Sequence, residues 1–472
     1  MNDMKRSILW VVFGFSMVLL WDQWQVYNGN KATFFPNPAQ KTAPAAAGAA
    51  GPTPAASDAG VPRAVVQAGA ALAPVASVAP AVPKERFEVT TDVLKLTFDT
   101  EGGSLVRAEF LKYSDMSDKS RNFVLLDDSK DRIYMAQSGV VAGAAGGNYP
   151  THKTVMTVSG ERSLKEGANE MTLKFSSPDV GGIKLVKTYT LRRGAYDVAV
   201  KHELTNTSAA PVAPQLYLQL VRDGNKPAGE SSFYSTFTGP AIYTEAKKYQ
   251  KVEFADIKKK KVDVEKEASN GYIAMVQHYF ASAWILPDGM QRSLSLDAVD
   301  IGASVPDCCY RATMVAPLES IAPGATKAVE AKFFADPQEE KMLESLTPGL
   351  ELVKDYGWLT ILAKPLYWLL DKLHSFIQNW GWSIVALVLL LKIAFYWLNA
   401  KAYASMAKMK AVNPKIMEMR ERLKDNPQQM QQEMMKIYRE EKVNPMGGCF
   451  PIMVQIPVFI ALYWVLLSSV EM

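Results

Sequence analysis

The sequence predicts an α-helical membrane protein with a large all-β domain on one side of the membrane and a helical hairpin on the other. Three observations predict this fold class. One apolar stretch lies near the N-terminus, and two more follow residue 380. Between them, residues 85–340 contain many short runs that alternate apolar and polar side chains, which is the spacing of β-strands. The segment between the two later apolar stretches is polar and repeats apolar residues at helical spacing.

Residues 1–28 are predicted to form a signal-anchor transmembrane helix that is not cleaved. Lys5 and Arg6 precede an apolar run over residues 8–21, and no small-residue cleavage pattern follows the run. A cleaved signal peptide is the alternative. The two basic residues place the N-terminus in the cytoplasm, because positive charge is retained on that side. Residues 29–84 are rich in alanine and proline, a composition typical of a flexible tether.

Residues 85–340 are predicted to fold as an antiparallel β sandwich. Residues 93–98 alternate apolar and polar side chains, and Gly102–Gly103 supplies a turn after them. Residues 185–204 repeat this pattern around a turn at Arg193–Gly194. Because helical periodicity is scarce in this part of the chain, strands of one antiparallel architecture account for it best.

Residues 355–378 are predicted to form an amphipathic helix that lies on the membrane surface. Trp358 and Trp368 are suited to anchor it at the interface. A buried helix of a globular domain is the alternative. The residues expected on its apolar face are Leu362, Leu366, Leu369, Leu373 and Phe376.

Two further transmembrane helices are predicted at residues 381–398 and 450–468. Residues 400–446, which connect them, carry about ten Lys and Arg against about six Asp and Glu, the bias of a cytoplasmic loop. With the N-terminus also inside, the β domain then lies outside the cytoplasm.

The connecting segment is predicted to be a helical hairpin. Asn426 is suited to cap its second helix and Pro427 to begin it, whereas Pro414 should kink or break the first helix. Holding the hairpin together is the simpler role of its apolar seam, but methionine also suits adaptable binding of varied partners. The seam residues are Met406, Met409, Val412, Ile416, Met419 and Leu423 on the first helix, and Met430, Met434 and Ile437 on the second.

Polar residues within the apolar spans mark a candidate groove. Lys392, Tyr396 and Asn399 share one helical face at i, i+4 and i+7 spacing. Gln455 enters the following span from the same side, at a depth similar to that of Lys392. Because a cation within lipid needs a partner or water, we expect a hydrophilic groove open to the cytoplasm. In the simpler alternative, Lys392 extends toward the interface and Gln455 bonds to a neighbouring helix.

The sequence gives no reason to predict an enzyme, a cofactor or a metal. Its four histidines are scattered and lack metal-ligand spacing. There is no phosphate-binding glycine loop and no nucleophile turn of the Gly-x-Ser-x-Gly type. A net charge of +4 does not favour nucleic acid as a partner.

Several long motifs resemble the YidC insertase family of bacteria. In the helical part they are DYGWL (355–359), NWGWS (379–383), SMAKM (405–409), MRERL (419–423), KVNPMGGCFP (442–451) and QIPVFIALY (455–463). In the β part they are FYSTFTGPAIY (233–243) and MVQHYFASAW (275–284), which are similar to the family's periplasmic β-supersandwich. The resemblance covers nearly the whole chain apart from the tether.

The resemblance implies a membrane protein insertase and chaperone of the bacterial inner membrane, multi-pass, with the large domain in the periplasm. It implies nascent membrane proteins as clients, received alone or beside the Sec translocon and released into the lipid bilayer. The family's positive groove residue maps onto Lys392, where many members carry arginine. The family also continues through three further spans after Glu471, so we expect the groove of this chain to lack part of its wall.

The resemblance further implies that the cytoplasmic hairpin contacts clients, the ribosome or a signal-recognition receptor. The hairpin residues expected to make these contacts are Met406, Met409, Met419, Met430 and Met434. A membrane-tethered periplasmic carbohydrate-binding protein is the alternative function, because β supersandwiches often bind sugars. An ion or solute channel is a weaker one.

Overall fold

Residues 86–337 form two antiparallel sheets, each of nine described strands, in a computed structural model of the chain. The structure describes residues 60–62, 83–143, 147–227, 236–354, 356–423, 426–441 and 450–472. The predicted signal anchor and nearly all of the predicted tether lie outside these residues. Every described residue belongs to one unit, Asp58–Met472.

The first sheet has the strand order β1-β2-β3-β4-β5-β10-β17-β16-β13. Its strands are β1 (Arg86–Thr90), β2 (Leu94–Asp99), β3 (Ser104–Ser114), β4 (Asn122–Asp128), β5 (Ile133–Ala142), β10 (Pro214–Arg222), β13 (Glu267–Ala268), β16 (Arg292–Ala298) and β17 (Tyr310–Pro317). The predicted turn at Gly102–Gly103 joins β2 to β3, and both glycines have positive φ, which other residues rarely adopt.

The second sheet has the strand order β12-β11-β14-β15-β18-β9-β8-β7-β6. Its strands are β6 (Thr157–Gly160), β7 (Glu170–Ser176), β8 (Ile183–Arg192), β9 (Asp197–Asn206), β11 (Gly239–Thr244), β12 (Lys248–Lys251), β14 (Tyr272–Gln277), β15 (Phe280–Ile285) and β18 (Thr326–Pro337). The predicted pair around Arg193–Gly194 is the β8–β9 hairpin. The prediction of an antiparallel β sandwich is confirmed.

The two sheets bury one shared apolar core between them. Strand β8 shows how the sequence determines its orientation, because every second residue from Ile183 to Leu191 is buried and the residues between them are more exposed. Aromatic rings of the two sheets meet in this core: the ring centroid of Phe98 on β2 lies 5.6 Å from that of Phe175 on β7. Pairs of this kind add directional contacts to the burial of apolar area.

One lysine occupies a core-facing position of β8. The Lys187 ammonium is buried and donates hydrogen bonds to the carbonyl oxygens of Gly102 and Ser138, each at 2.6 Å. The Ser138 hydroxyl lies 2.9 Å from Nε2 of the buried His202. Burial lowers the pKa of Lys187 to about 7 and that of His202 to about 3, because both charged forms lose their hydration. Polar groups therefore link the two sheets at the centre of the sandwich.

Seven described helices accompany the sheets. They are α1 (Phe254–Lys258), α2 (Glu340–Leu346), α3 (Thr360–Ile377), α4 (Trp380–Ala394), α5 (Tyr396–Arg422), α6 (Pro427–Glu440) and α7 (Phe450–Ser468). Two 3₁₀ turns, Leu350–Val353 and Gly357–Leu359, connect the β domain to α3. No described helix alone has both the length and the apolar composition to cross a membrane; α4 and α5, bent by 59°, meet these criteria only as a pair, and Met453–Ser468 is apolar but shorter.

The burial of His202 predicts how the stability of the β domain depends on pH. Since the folded-state pKa of His202 is depressed to about 3, the unfolded chain binds a proton between pH 7 and pH 5 and the folded chain does not. This histidine should therefore cost about 2 kcal/mol of stability on acidification to pH 5. We expect His202→Gln to reduce the loss of unfolding free energy between pH 7 and pH 5 by about that amount.

Denaturant unfolding of the whole chain in detergent, followed by far-ultraviolet circular dichroism of the strands, would measure this difference. Wild type and variant must be compared, because burial raises the pKa of Asp336 and this carboxyl shifts stability in the opposite sense. His374→Gln is the matched control, since His374 lies on α3, outside the sandwich. Equal pH dependence in wild type and His202→Gln would contradict the assignment.

Candidate functional site

Three helices of the C-terminal part pack around one apolar cluster. Helix α3 contributes Ala363, Leu366, Tyr367 and Leu370, while α4 contributes Leu387. Helix α7 completes the cluster with Ala461, Leu462 and Val465. The three helices therefore form one packed unit that fixes the positions of the side chains on α4 and α7.

The buried face of α3 differs from the predicted apolar face. Leu366 is buried and Leu369 and Leu373 are partly buried, but Leu362 and Phe376 are exposed, Phe376 by 85%. The cause is that Ala363, Tyr367 and Leu370 contact the neighbouring helices, so the packed face is rotated from the one that the leucine spacing indicated. Trp368, a predicted interfacial anchor, is 60% exposed.

A buried ion pair ties the start of this helical unit to its end. Lys354, just before α3, has a fully buried side chain, and its Nζ lies 3.1 Å from Oε1 of Glu471, which follows α7. The Tyr367 hydroxyl on α3 donates to the same carboxylate oxygen at 3.0 Å. The Lys354 ammonium also lies 4.3 Å from the centroid of the Tyr367 ring. Lys354, Tyr367 and Glu471 come from three different segments. Their contacts therefore fix α3 and the end of α7 to the segment that leaves the β domain.

Two further contacts join the helical unit to α2, which directly follows the last strand. Tyr356 donates a hydrogen bond to the carboxylate of Glu340. Lys341 pairs with Asp371 of α3 at 2.6 Å. The position of the β domain on the helices is therefore set by polar contacts of α2 as well as by chain connectivity.

Lys392 and Gln455 line one groove. The groove has a volume of about 410 Å³, and apolar side chains of α7 form the rest of its wall. The Lys392 ammonium lies 5.8 Å from the centroid of the Phe459 ring, and no carboxylate pairs with it among the residues that the structure describes. The lining residues are Lys392, Gln455, Ile456, Phe459, Ile460 and Tyr463.

This groove combines two kinds of binding chemistry. The ammonium group can neutralise and donate to an anionic oxygen, while the Gln455 amide both donates and accepts. The apolar wall can contact the side chains of a hydrophobic helix. An elongated ligand with an acidic group beside an apolar segment would use both surfaces at once.

The structure does not place Tyr396 and Asn399 in the groove lining. The predicted helix over residues 381–398 ends at Ala394, and Phe395, with φ −86° and ψ 1°, leaves helical geometry before α5 begins. The 59° bend at this point removes the shared face on which the i, i+4, i+7 argument depended. Tyr396 is 72% exposed on α5.

Helices α5 and α6 form the predicted helical hairpin. The Asn426 side chain accepts a hydrogen bond from the backbone N–H of Gln429, and Pro427 is the first residue of α6, as predicted. Helix α5 continues through Pro414 to Arg422, so of the two predicted effects of this proline, a kink or a break, the break does not occur. The hairpin core consists of buried Val412, Ile416 and Met419 with partly buried Met409, Leu423, Met430, Met434, Ile437 and Tyr438.

Four of the five methionines predicted to contact partners belong to this hairpin core. Met406, by contrast, is 40% exposed and lies outside the core. Met417 and Met435, which are not among the predicted contact residues, are exposed by 57% and 56%. A helical-wheel count that excluded the seam positions would have indicated both, because the seam faces the other helix of the hairpin.

Comparison with known proteins identifies the family. Residues 86–369 match the family model for the YidC periplasmic domain, and residues 372–472 match the model for the 60Kd inner membrane protein. The chain belongs to the YidC family. The family descriptions assign it to the bacterial inner membrane, and the predicted fold class agrees with them.

Curated YidC relatives align with the whole chain. The membrane protein insertases YidC of Cupriavidus necator, Ralstonia nicotianae and Bordetella pertussis are 52%, 50% and 48% identical to it, and each alignment covers 100% of this chain and 82% of the relative. The family is one of insertases and not of enzymes, as the sequence analysis predicted. A putative aldose 1-epimerase from Escherichia coli K12 shares 9% identity over 54% of this chain with a TM-score of 0.34, too distant to support any argument.

The Lys354–Glu471 pair generates a stability prediction. We expect Lys354→Ala to lower the unfolding free energy of the helical part by about 3 kcal/mol, because it leaves the Glu471 carboxylate with little solvation and no cation. The double variant Lys354→Met, Glu471→Leu should lie much closer to wild type, since no unpaired charge remains. Thermal unfolding in detergent, followed by tryptophan fluorescence, would measure both.

The exposed pair Lys327–Glu319 supplies the control. Lys327→Ala should change stability by less than about 0.5 kcal/mol, as expected for a solvated ion pair. If Lys354→Ala is equally mild, or if the double variant is as unstable as the single one, the pair does not hold the helices together.

Proposed function

We propose that this chain acts as an insertase and chaperone that receives hydrophobic segments of nascent membrane proteins in the Lys392–Gln455 groove. The segments are then released into the lipid bilayer, alone or together with the Sec translocon, without a chemical step. The observation that carries this proposal is the placement of one ammonium, which has no carboxylate partner among the described residues, and one amide beside the apolar wall of α7. Family membership favours it over the carbohydrate-binding alternative.

The groove would lower the cost of moving a polar flank partway across the membrane. A peptide carboxylate in hydrocarbon lacks partners, and each unsatisfied group there costs several kcal/mol. Lys392 offers such a carboxylate a charge-assisted hydrogen bond, and the neutral Gln455 amide offers backbone groups an ordinary one. The apolar side chains of the client meanwhile contact Ile456, Phe459 and Ile460. Attraction at the flank and apolar contact along the segment therefore act on the same client.

The orientation proposed for the chain follows from its charges. Lys5 and Arg6 and the basic excess of residues 400–446 favour a cytoplasmic N-terminus and hairpin. The β domain then lies in the periplasm, and Lys392 and Gln455 lie in the cytoplasmic half of the membrane. A groove of this kind admits water and client from the cytoplasm without forming a pore.

The hairpin is proposed to contact the ribosome or a signal-recognition receptor through its exposed methionines. Met409, Met419, Met430 and Met434 stabilise the hairpin from within, which leaves Met406, Met417 and Met435 available at the surface. Unbranched, polarisable side chains of this kind adapt to varied apolar partners.

Charge reversal at Lys392 tests the groove. We expect Lys392→Glu in the full chain to reduce insertion of a client with an acidic exported tail by about tenfold or more, because attraction becomes repulsion. Lys392→Arg should retain insertion. The measurement is protease protection of the client in proteoliposomes that contain each variant.

The matched control is Lys410→Glu, an equal charge change on the exposed surface of α5. A client with a neutral tail supplies a second control, since it should be much less sensitive to Lys392→Glu. Undiminished insertion of the acidic client by Lys392→Glu would rule out the electrostatic role of the groove. Photocrosslinking from position 455 to a stalled nascent chain would test contact directly, and crosslinks only to lipid would argue against the groove as the client site.

The exposed methionines generate a separate test of the hairpin. Met417→Asp and Met435→Asp together should weaken binding to translating ribosomes or to the receptor by about fivefold or more, because a charge replaces an apolar contact. Gln432→Asp is the control for the α6 half of the double variant, since it adds the single charge that Met435→Asp adds and removes no methionine. Flotation or surface-plasmon measurements with both partners would show which one is affected, and no change with either would exclude this surface.

A further inference from the structure

The outer face of the first sheet is buried at β10, although no other described sheet packs on it there. All nine residues of β10 are buried, so both of its faces are covered. Leu216, Leu218 and Leu220 face the core between the sheets. The alternate residues, including Tyr217 and Gln219, therefore project from the opposite, outer face. Buried side chains there must be covered by other segments of the chain.

A short segment from within the predicted tether provides part of this cover. Residues 60–62 lie against the outer face, with Gly60 and Pro62 buried. Val61 packs against an apolar cluster formed by Val141 of β5, Tyr217 of β10 and Val315 of β17. The tripeptide thus contacts three adjacent strands, although more than 20 residues separate it from β1 in sequence.

The carbonyl oxygen of Gly60 accepts two hydrogen bonds from buried side chains. Nη1 of Arg311 donates to it at 3.0 Å, and Nε2 of Gln219 donates at 3.2 Å. Gln219 lies on β10, and Val221 two residues later is paired with Arg311 of β17, so both donors project from the same face. Arg311 is 8% exposed and Gln219 is fully buried.

Arg311 and Gln219 together form a binding site for a peptide carbonyl group. A guanidinium group carries five N–H donors and has to find acceptors when it is buried. Asp297 provides one acceptor at 3.5 Å and Gly60 provides another at closer range. Side-chain atoms Nε of Arg311 and Oγ1 of Thr313, both buried, have no described hydrogen-bond partner, so the site has capacity for further polar contacts.

The backbone conformation of Gly60 makes the site specific for glycine at this position. Its φ of +104° lies in the region that side chains other than glycine rarely adopt. A Cβ at this position would meet His152 at 3.5 Å, which is ordinary contact, so backbone conformation and not space restricts the residue. Pro62 fixes its own φ and so limits the freedom that the segment loses when it binds.

We propose that the outer face of the first sheet at β10 and β17 is a binding site for a Gly-Val-Pro peptide, and that residues 60–62 of the chain are its ligand. The carbonyl of Gly60 is held by Arg311 and Gln219, while Val61 occupies the apolar cluster. The site divides the tether in two at Gly60 and fixes that point to the β domain. This inference is independent of the Lys392 groove.

Limited proteolysis of the full chain in detergent tests the site. Trypsin can cleave after Arg63, next to the bound tripeptide, and after Lys41 elsewhere in the tether sequence. Mass spectrometry of early time points gives the ratio of these two cleavage rates, so cleavage after Lys41 corrects for differences in overall digestion. Cleavage near a bound segment follows the population in which the segment is released.

We expect Arg311→Ala to raise the ratio of Arg63 to Lys41 cleavage by about tenfold, the effect of losing one hydrogen bond from a charged donor. Gly60→Val should raise it similarly without altering any side chain of the sheet, because valine cannot adopt the positive φ easily. Asp297→Asn is the matched control: it weakens the ion pair of Arg311 but keeps the bond to Gly60, and the ratio should stay near that of wild type.

Each outcome decides the proposal. A raised ratio in both Arg311→Ala and Gly60→Val, with Asp297→Asn unchanged, supports the site. An unchanged ratio in Gly60→Val overturns it, whatever Arg311→Ala does, because that variant acts only on the ligand segment. A wild-type ratio already as high as that of the variants also overturns it, since the segment would then be free in the native chain.

Discussion

Lys354 has no exposed side-chain surface, and a cation in that position is stable only with an anion beside it. Glu471 provides the anion, and Tyr367 orients it. Because these groups come from the exit of the β domain, from α3 and from the segment after α7, the arrangement of the helical unit depends on their meeting. The groove follows from it, since Gln455 and Phe459 belong to the helix whose end is fixed in this way.

The groove combines one positive charge with an apolar wall. Lys392 alone on an apolar helix would turn toward water, and the wall of α7 alone would be one more buried helix face. Together they form a surface that is complementary to neither lipid nor water, but to a segment that is acidic at one end and hydrophobic along its length. Under the proposed function, such a surface would bind its clients transiently, because the bilayer competes for the apolar part.

Much of this arrangement could be predicted from the sequence, where the signal is local. Strand alternation predicted the sandwich, and counting residues from the ends of two spans predicted a similar depth for Lys392 and Gln455. No proline or glycine marks the bend at Phe395 in the sequence, and the groove lining that the structure describes does not include Tyr396 or Asn399. Lys354 and Glu471 are 117 residues apart, and only tertiary packing shows that they pair. The same holds for Gly60 and Arg311, because an alanine- and proline-rich segment gives no pattern from which binding follows.

The composition of the hairpin core has a chemical consequence. Met409, Met430 and Met434 are only partly buried, so solvent oxidants such as hydrogen peroxide can reach these side chains more readily than those of a closed core. Conversion to the sulfoxide would place a polar oxygen in the contact between α5 and α6, and methionine sulfoxide reductases can reverse this change. The hairpin is therefore one described part of the molecule whose packing would respond to oxidative damage and to its repair.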